Sequence, residues 1–91
     1  MIIISQDKLQ IFNFKTAKNI WIEEEEVEIN QIEQVVYSIY IDGEIVGAYE
    51  TEERAKEILQ EIINAYLDCN EQNYLAEFAY VKNKVFEMPK E

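Results

Sequence analysis

Hydrophobic and polar positions change places every one or two residues through the first half of the chain, a spacing that is typical of β-strands. Residues 2–4, three consecutive isoleucines, predict a short strand. Residues 9–14 predict its hairpin partner after a turn at residues 5–8. A third strand is predicted to begin at residues 20–22 and to run into four glutamates. Residues 24–33 fit either an extension of that strand or an exposed loop.

A second hairpin has the clearest turn signal. Residues 35–41 and 44–49 predict two strands, and the intervening Asp42-Gly43 favours a type I′ turn, in which both central residues need positive φ. Both faces of the strand at residues 35–41 are apolar or amphipathic, whereas a half-buried strand alternates apolar with polar residues. The strand is therefore either central, covered by a helix and by the C-terminal segment, or it presents a tyrosine-rich face for self-association or a partner.

A single long amphipathic helix is predicted from Glu52 to about Asp68. Thr51 is its expected N-cap, and Glu52 and Lys56 have the i,i+4 spacing of an ion pair. Its apolar positions follow the i, i+3, i+4, i+7 pattern of a buried stripe: Ala55, Ile58, Leu59, Ile62, Ile63, Tyr66 and Leu67. The polar residues 69–73 are expected to end the helix.

The last fifth of the chain is less distinct. Residues 74–81 fit a helix and a strand equally well, and their Leu, Ala and Glu content favours a helix. Residues 85–88 predict a closing strand that Pro89 ends. The predicted fold is a single α+β domain over residues 1–91. It has a small antiparallel sheet of four to five strands packed against one long amphipathic helix, with a short C-terminal helix and strand.

Charge narrows the classes of partner. The chain has 91 residues and a net charge of −11, and residues 19–81 hold sixteen of the nineteen acidic residues but only Arg54 and Lys56 as bases. Nucleic acids and anionic membranes are therefore unlikely ligands, whereas a basic protein fits. Solubility alone is the alternative reason for the acidity. Cys69 has no partner for an internal disulfide, and no apolar run approaches the roughly 20 residues of a membrane span, so a cytoplasmic protein is expected.

The sequence offers no catalytic constellation. It has no His, a single Cys and two Gly, so we predict no catalytic residue, no metal site, no cofactor and no enzymatic activity. The run from Glu23 to Glu26 does not alter this expectation, because adjacent residues of a strand project to opposite faces and do not converge on one site.

Three stretches of the chain, taken in order, carry a resemblance. They are Ile4-Ser5-Gln6-Asp7-Lys8 followed by Asn13-Phe14, then the segment from Gly47 to Ile62, then Phe86-Glu87-Met88-Pro89. Together they resemble a family of small, mostly uncharacterised proteins of Firmicutes and their phages, over about half of the chain. The glutamate-rich residues 23–34 depart from that pattern. The resemblance implies a mobile-element setting, in which small acidic proteins of the host cytosol often inhibit host defence, as anti-CRISPR proteins do.

The leading prediction is a non-enzymatic phage or mobile-element protein that binds a host defence protein, expected to be a basic nucleic-acid-binding one, with carboxylates in the place of phosphates. The predicted partner-binding residues are Trp21, Glu23, Glu24, Glu25, Glu26, Glu28, Glu33, Tyr37 and Tyr40. A homodimer through the tyrosine-bearing strand is a further expectation. The alternatives are an oligomeric sponge for a small nucleotide signal, in which only Arg54 offers a bidentate phosphate contact, and a housekeeping protein-interaction module.

Overall fold

The computed structural model describes the backbone of residues 1–75 and 85–91 and the side chains of residues 1–67 and 85–91. The elements in these ranges are β1 (Ile2–Ile4), β2 (Ile11–Asn13), a 3-10 helix (Phe14–Thr16), β3 (Ile20–Ile29), β4 (Ile32–Ile41), β5 (Glu44–Tyr49), α1 (Glu52–Leu75) and β6 (Val85–Glu87).

The first sheet brings the two ends of the chain together. Its central strand β1 runs antiparallel to β2 and parallel to β6, so that Ile3 lies between Phe12 and Phe86. The β1–β2 turn is held by Asp7, whose carboxylate accepts hydrogen bonds from the Ser5 hydroxyl at 2.6 Å and from the backbone N–H of residue 9 at 2.9 Å. The predicted hairpin and closing strand are both present, but β2 covers only Ile11–Asn13 of the predicted residues 9–14, and β6 ends at Glu87 instead of residue 88.

The second sheet has the order β3-β4-β5 and is antiparallel throughout. Asp42 and Gly43 have φ of 50° and 90°, as the predicted type I′ turn requires. Asn30 and Gln31 make a second two-residue turn with φ of 54° and 66°. Residues 24–33 are therefore strand, turn and strand, which resolves the choice that the sequence left open between strand and loop.

Helix α1 begins where the sequence predicts and ends later. The backbone N–H of Arg54 donates to the Thr51 hydroxyl at 3.1 Å, and Lys56 pairs with Glu52 at 2.8 Å. The predicted end near residue 68 is wrong, because α1 continues to Leu75. Residues 69–73 are polar but contain neither Gly nor Pro, and polarity alone does not break a helix. The predicted short helix over residues 74–81 thus overlaps α1 at its start and otherwise lies outside the described residues.

The core is a single cluster shared by α1 and both sheets. The buried residues are Met1, Ile3, Ile39, Ile41, Val46, Tyr49, Ala55, Ile58, Ile62 and Met88. The apolar stripe of α1 is narrower than predicted, since Ile63 is 39% exposed and Leu67 is 54% exposed. The buried face of α1 is therefore centred on Ile58 and Ile62.

Gln6 connects the two sheets. Its backbone N–H donates to the Val46 carbonyl at 2.7 Å, and its side-chain amide both accepts from the Ala48 N–H at 2.8 Å and donates to the Ala48 carbonyl at 3.1 Å. Gln6 thereby bonds to the outer edge of β5 in the manner of a short extra strand. The same side-chain amide donates to the Lys90 carbonyl at 2.7 Å.

The α+β class is confirmed, but the prediction of one antiparallel sheet with four to five strands is wrong. The described residues form two sheets of three strands each, and one of the pairings, β1 with β6, is parallel. That pairing joins segments more than eighty residues apart, which no local pattern reveals. Within the described ranges, no helix is both long enough and apolar enough to cross a membrane.

Candidate interaction surface on the β3–β4 hairpin

The predicted partner-binding residues all lie on one structural unit, the hairpin of β3 and β4. The last pairing of β5 with β4 joins Tyr49 to Tyr37. Beyond that point β3 and β4 pair only with each other among the described residues. Residues 25–36 therefore form a two-stranded extension of the sheet, which we call the ribbon. The turn at Asn30 and Gln31 closes its outer end.

Pairing register assigns the predicted residues to two faces of this hairpin. Glu24 lies opposite Tyr37, and Glu28 lies opposite Glu33. Directly opposite residues share a face, as do alternate residues of one strand. One face, which we call the acidic face, thus carries Glu24, Glu26, Glu28, Glu33 and Tyr37. The other, which we call the aromatic face, carries Trp21, Glu23, Glu25 and Tyr40.

The acidic face continues outward from the face that packs in the core through Ile22 and Ile39. Its four glutamates are exposed. The Cα atoms of successive glutamates on this face of β3 are about 6.7 Å apart, the length of two residues of an extended strand. Glu28 and Glu33 form a like-charged cross-strand pair, an arrangement that destabilises a hairpin by itself. Residues 19–53 contain eleven acidic residues and no Lys or Arg, so the hairpin carries no base of its own to neutralise this face.

Tyr37 joins the acidic face to the first turn of α1. Its hydroxyl lies 3.4 Å from Glu24, and the two line a shallow cleft together with Glu52 and Lys56. Partial burial, followed by the negative charge of Glu24 and of the first turn of α1, raises the pKa of the Tyr37 phenol. Glu52 therefore contributes negative charge beside Tyr37 from a different element, with its ion-pair partner Lys56 in the same cleft. Sequence reasoning assigned this residue only to helix stabilisation.

The aromatic face begins with a stacked pair. The rings of Trp21 and Tyr40 are 5.3 Å apart between centroids and almost parallel, at 4°. The Tyr40 hydroxyl donates to the Glu25 carboxylate at 2.7 Å. This bond, with a smaller contribution from Ser38, lowers the pKa of Glu25, and the same bond raises the pKa of Tyr40 to about 12. The Glu25 carboxylate thus has a hydrogen-bond partner within the protein, whereas Glu26, Glu28 and Glu33 make no side-chain hydrogen bond or ion pair with any other described side chain.

Apolar residues follow along the aromatic face toward the turn. Val27 and Val36 are partly buried, while Ile29 is 47% exposed and Ile32 is 61% exposed. The β3–β4 hairpin is therefore two-sided. One face carries the glutamates, with Val35 opposite Glu26, and the other is aromatic at Trp21 and Tyr40 and aliphatic toward the turn. The sequence pattern contains this arrangement, but it becomes readable only when the register is known.

The sequence predicts no metal site, and only the described side chains bear on this prediction. Among these, no group of three or more His, Cys, Asp or Glu side chains is arranged to hold a metal ion. The four consecutive glutamates alternate between the faces, so only Glu24 and Glu26 of the run share the acidic face.

Comparisons with known proteins give no relative for the chain. No protein-family model matches it, and no match is found among the curated proteins or the solved structures. The resemblance to the Firmicutes and phage family stays a prediction.

Proposed function

We propose that this protein is a non-enzymatic binding module that docks onto a basic, nucleic-acid-binding protein through the acidic face of the β3–β4 hairpin. The observation that carries the proposal is the composition of that face: three exposed glutamates at every second position of β3, a fourth directly opposite Glu28 on β4, and no base on the same hairpin. Repulsion within such a face is relieved when a partner supplies Lys or Arg.

The mechanism is occupation of a phosphate-binding track. Glutamates whose Cα atoms are about 6.7 Å apart along an extended strand present negative charge at a spacing of the same order as that of successive phosphates in a nucleic acid strand. A protein that binds nucleic acid through a row of Lys and Arg would bind the ribbon in its place. Trp21 and Tyr40 add a rigid aromatic surface on the reverse face, a residue type that often anchors interfaces.

The biological setting is part of the proposal. The family resemblance supports a phage or mobile element as the source, a host defence protein as the target, and the host cytosol as the site of action. Inhibition would then follow from competition with the nucleic acid that the defence protein must bind. A homodimer is compatible with this function only if the acidic face remains outside the dimer contact.

The nucleotide-sponge alternative has less support. Arg54, the only arginine, donates to the Glu57 carboxylate at 2.6 Å and to the Glu91 carbonyl at 3.0 Å. Two of its three guanidinium nitrogens, Nε and Nη1, are thus already engaged by groups of the protein, and any bidentate phosphate contact would involve at least one of them. The housekeeping-module alternative shares the binding surface and differs only in the partner.

The test is affinity capture with matched variants. A face variant replaces Glu24, Glu26, Glu28 and Glu33 by Gln, and a control variant replaces Glu44, Glu50, Glu61 and Glu87 by Gln. Both variants remove four exposed charges, so they differ in the position of the charge and not in its amount. Each is immobilised and exposed to a Firmicutes lysate, with circular dichroism as the folding control.

We expect the parent and the control variant to capture a basic nucleic-acid-binding protein that salt and duplex DNA both release. Release by salt follows from screening of exposed charges within about 8–10 Å at physiological ionic strength. The face variant should capture little of that protein. Equal capture of that protein by the parent and both variants would contradict the proposed function, and so would capture that neither duplex DNA nor RNA can compete away.

A further inference from the structure

The outer edge of β3 has a regular set of outward-directed backbone groups. In a hairpin closed by a two-residue turn, the residues next to the turn, here Ile29 and Ile32, form a hydrogen-bonded pair, and every second pair after it does the same. At the far end of the hairpin, the Asp42 N–H donates to the carbonyl of Asn19, which is also an odd-numbered residue, so the alternation holds along the whole of β3. The even-numbered residues of β3, among them Glu24, Glu26 and Glu28, therefore direct their N–H and C=O groups away from β4.

The two edge strands of this sheet, β5 and β3, differ in whether another segment of the protein bonds to them. The outer edge of β5 is bonded by Gln6 at Val46 and Ala48. Along the ten residues of β3, no described residue other than those of β4 makes a strand pairing. An unpaired row of strand donors and acceptors is a template for another strand.

We infer that the β3 edge accepts an extended segment of the partner as an added strand, with Lys or Arg at every second position and apolar residues between them. The inference rests on the proposed function and specifies how the partner is bound. The residues with outward-directed backbone groups are also those whose side chains form the acidic face. An added strand would place its basic side chains beside Glu24, Glu26 and Glu28, and its apolar ones beside Val27 and Ile29 on the other face.

Charge distinguishes two candidate strands that could pair with the β3 edge, a second copy of β3 and a basic strand of the partner. A second copy of β3 would place carboxylates beside carboxylates on both faces, in a chain whose net charge is already −11. Like charges in neighbouring strand positions are destabilising, and opposite charges are stabilising. The glutamates therefore act against self-pairing and favour a basic strand, so that the same residues give both protection and specificity.

The probe is a nine-residue peptide with blocked termini that alternates Lys and Val, added to the isotopically labelled protein. Amide hydrogen exchange is measured residue by residue with and without the peptide. We expect the amides of Glu24, Glu26 and Glu28 to become protected on binding. The amides of Glu25 and Val27 already bond to β4, so their protection should change little. Electrostatic attraction without strand addition would give no such alternation.

A pair of variants at one position separates the backbone from the charge. Glu26→Gln removes the carboxylate and keeps the N–H, whereas Glu26→Pro removes both. Proline at an outward-facing position of an edge strand removes no bond to β4. We expect Glu26→Pro to bind the peptide roughly three- to tenfold more weakly than Glu26→Gln, the change in affinity that corresponds to one net hydrogen bond. The same test can be made on the parent protein with a peptide that carries N-methyl groups on alternate residues. These groups remove backbone donors from the peptide, so the protein needs no substitution that could affect its folding.

Each other outcome overturns the inference. If the peptide binds in a salt-sensitive way but the even-numbered amides stay unprotected and the two Glu26 variants bind alike, the strand is not added and the acidic-face docking remains. If the parent does not bind the peptide, or if these amides are already protected in the peptide-free protein as monomer or dimer, the basic-strand occupant is wrong. Unchanged partner capture by the face variant, by contrast, contradicts the proposed function itself.

Discussion

Replacement of Ile62 by Ala is the most direct test of where the core lies. Ile62 is fully buried in the cluster that α1 shares with both sheets. Truncation of such a side chain removes buried apolar surface and leaves a cavity, at a cost of about 2–5 kcal/mol in the free energy of unfolding. A domain of this size has about 5–14 kcal/mol in total, so the loss is a large fraction of its stability. Each kcal/mol should lower Tm by about 4–8 °C.

The neighbouring Ile63 provides the matched control. Ile63→Ala is the same chemical change in the same helix, with the same small gain in helix propensity. Because Ile63 is 39% exposed, its truncation opens onto solvent and should cost about 1 kcal/mol or less. Urea denaturation followed by circular dichroism measures both variants, and equal m-values ensure that the comparison concerns the native state. Equal losses for the two variants would refute this assignment of the buried face of α1.

Two further predictions concern polar contacts. Gln6→Ala removes the partner of the Ala48 N–H and carbonyl and should lower the free energy of unfolding by about 1–3 kcal/mol in urea denaturation, whereas Gln10→Ala, at an exposed position, should have little effect. Tyr40→Phe should return the pKa of Glu25 toward 4.5 in an NMR titration, and an unchanged titration would contradict the bond. The stability advantage of the parent over Tyr40→Phe should be lost as pH falls below 4.5, through the lowered pKa of Glu25. It should also be lost as pH rises from 10 through about 12, where the Tyr40 phenol ionises.

Local chemistry explains which elements could be predicted from the sequence. The turn at Asp42-Gly43 could be predicted because few residue pairs accept positive φ at both positions. Asn30-Gln31 also has positive φ at both positions, but glutamine rarely adopts positive φ, so the sequence pattern contains no signal for this turn. The long ladder between β3 and β4 imposes that turn. The division into two sheets could not be predicted, because the pairing of β1 with β6 and the bonds of Gln6 join distant segments and leave no periodic signal.

For the candidate surface, too, the sequence predicts contacts between neighbouring residues but not contacts between distant ones. The nine predicted residues of this surface are together in the structure because they belong to one hairpin, where neighbours in sequence are neighbours in space. Their division into two faces depends on the register of β3 against β4, which the structure shows and the sequence pattern alone does not. The contribution of Glu52 to the surroundings of Tyr37 was missed because it comes from another element.

Protection of the β3 edge against aggregation is the strongest competing explanation for the glutamates, and its requirements differ from those of binding. A guarded edge needs charge but not a particular sign, and lysine serves that purpose especially often. It also gains nothing from a like-charged pair such as Glu28 and Glu33, which weakens the hairpin that it would guard. The uniform acidity of residues 19–53 therefore exceeds what protection requires. The excess is explained if the ribbon is matched to a basic partner, and the position-matched variants measure that difference directly.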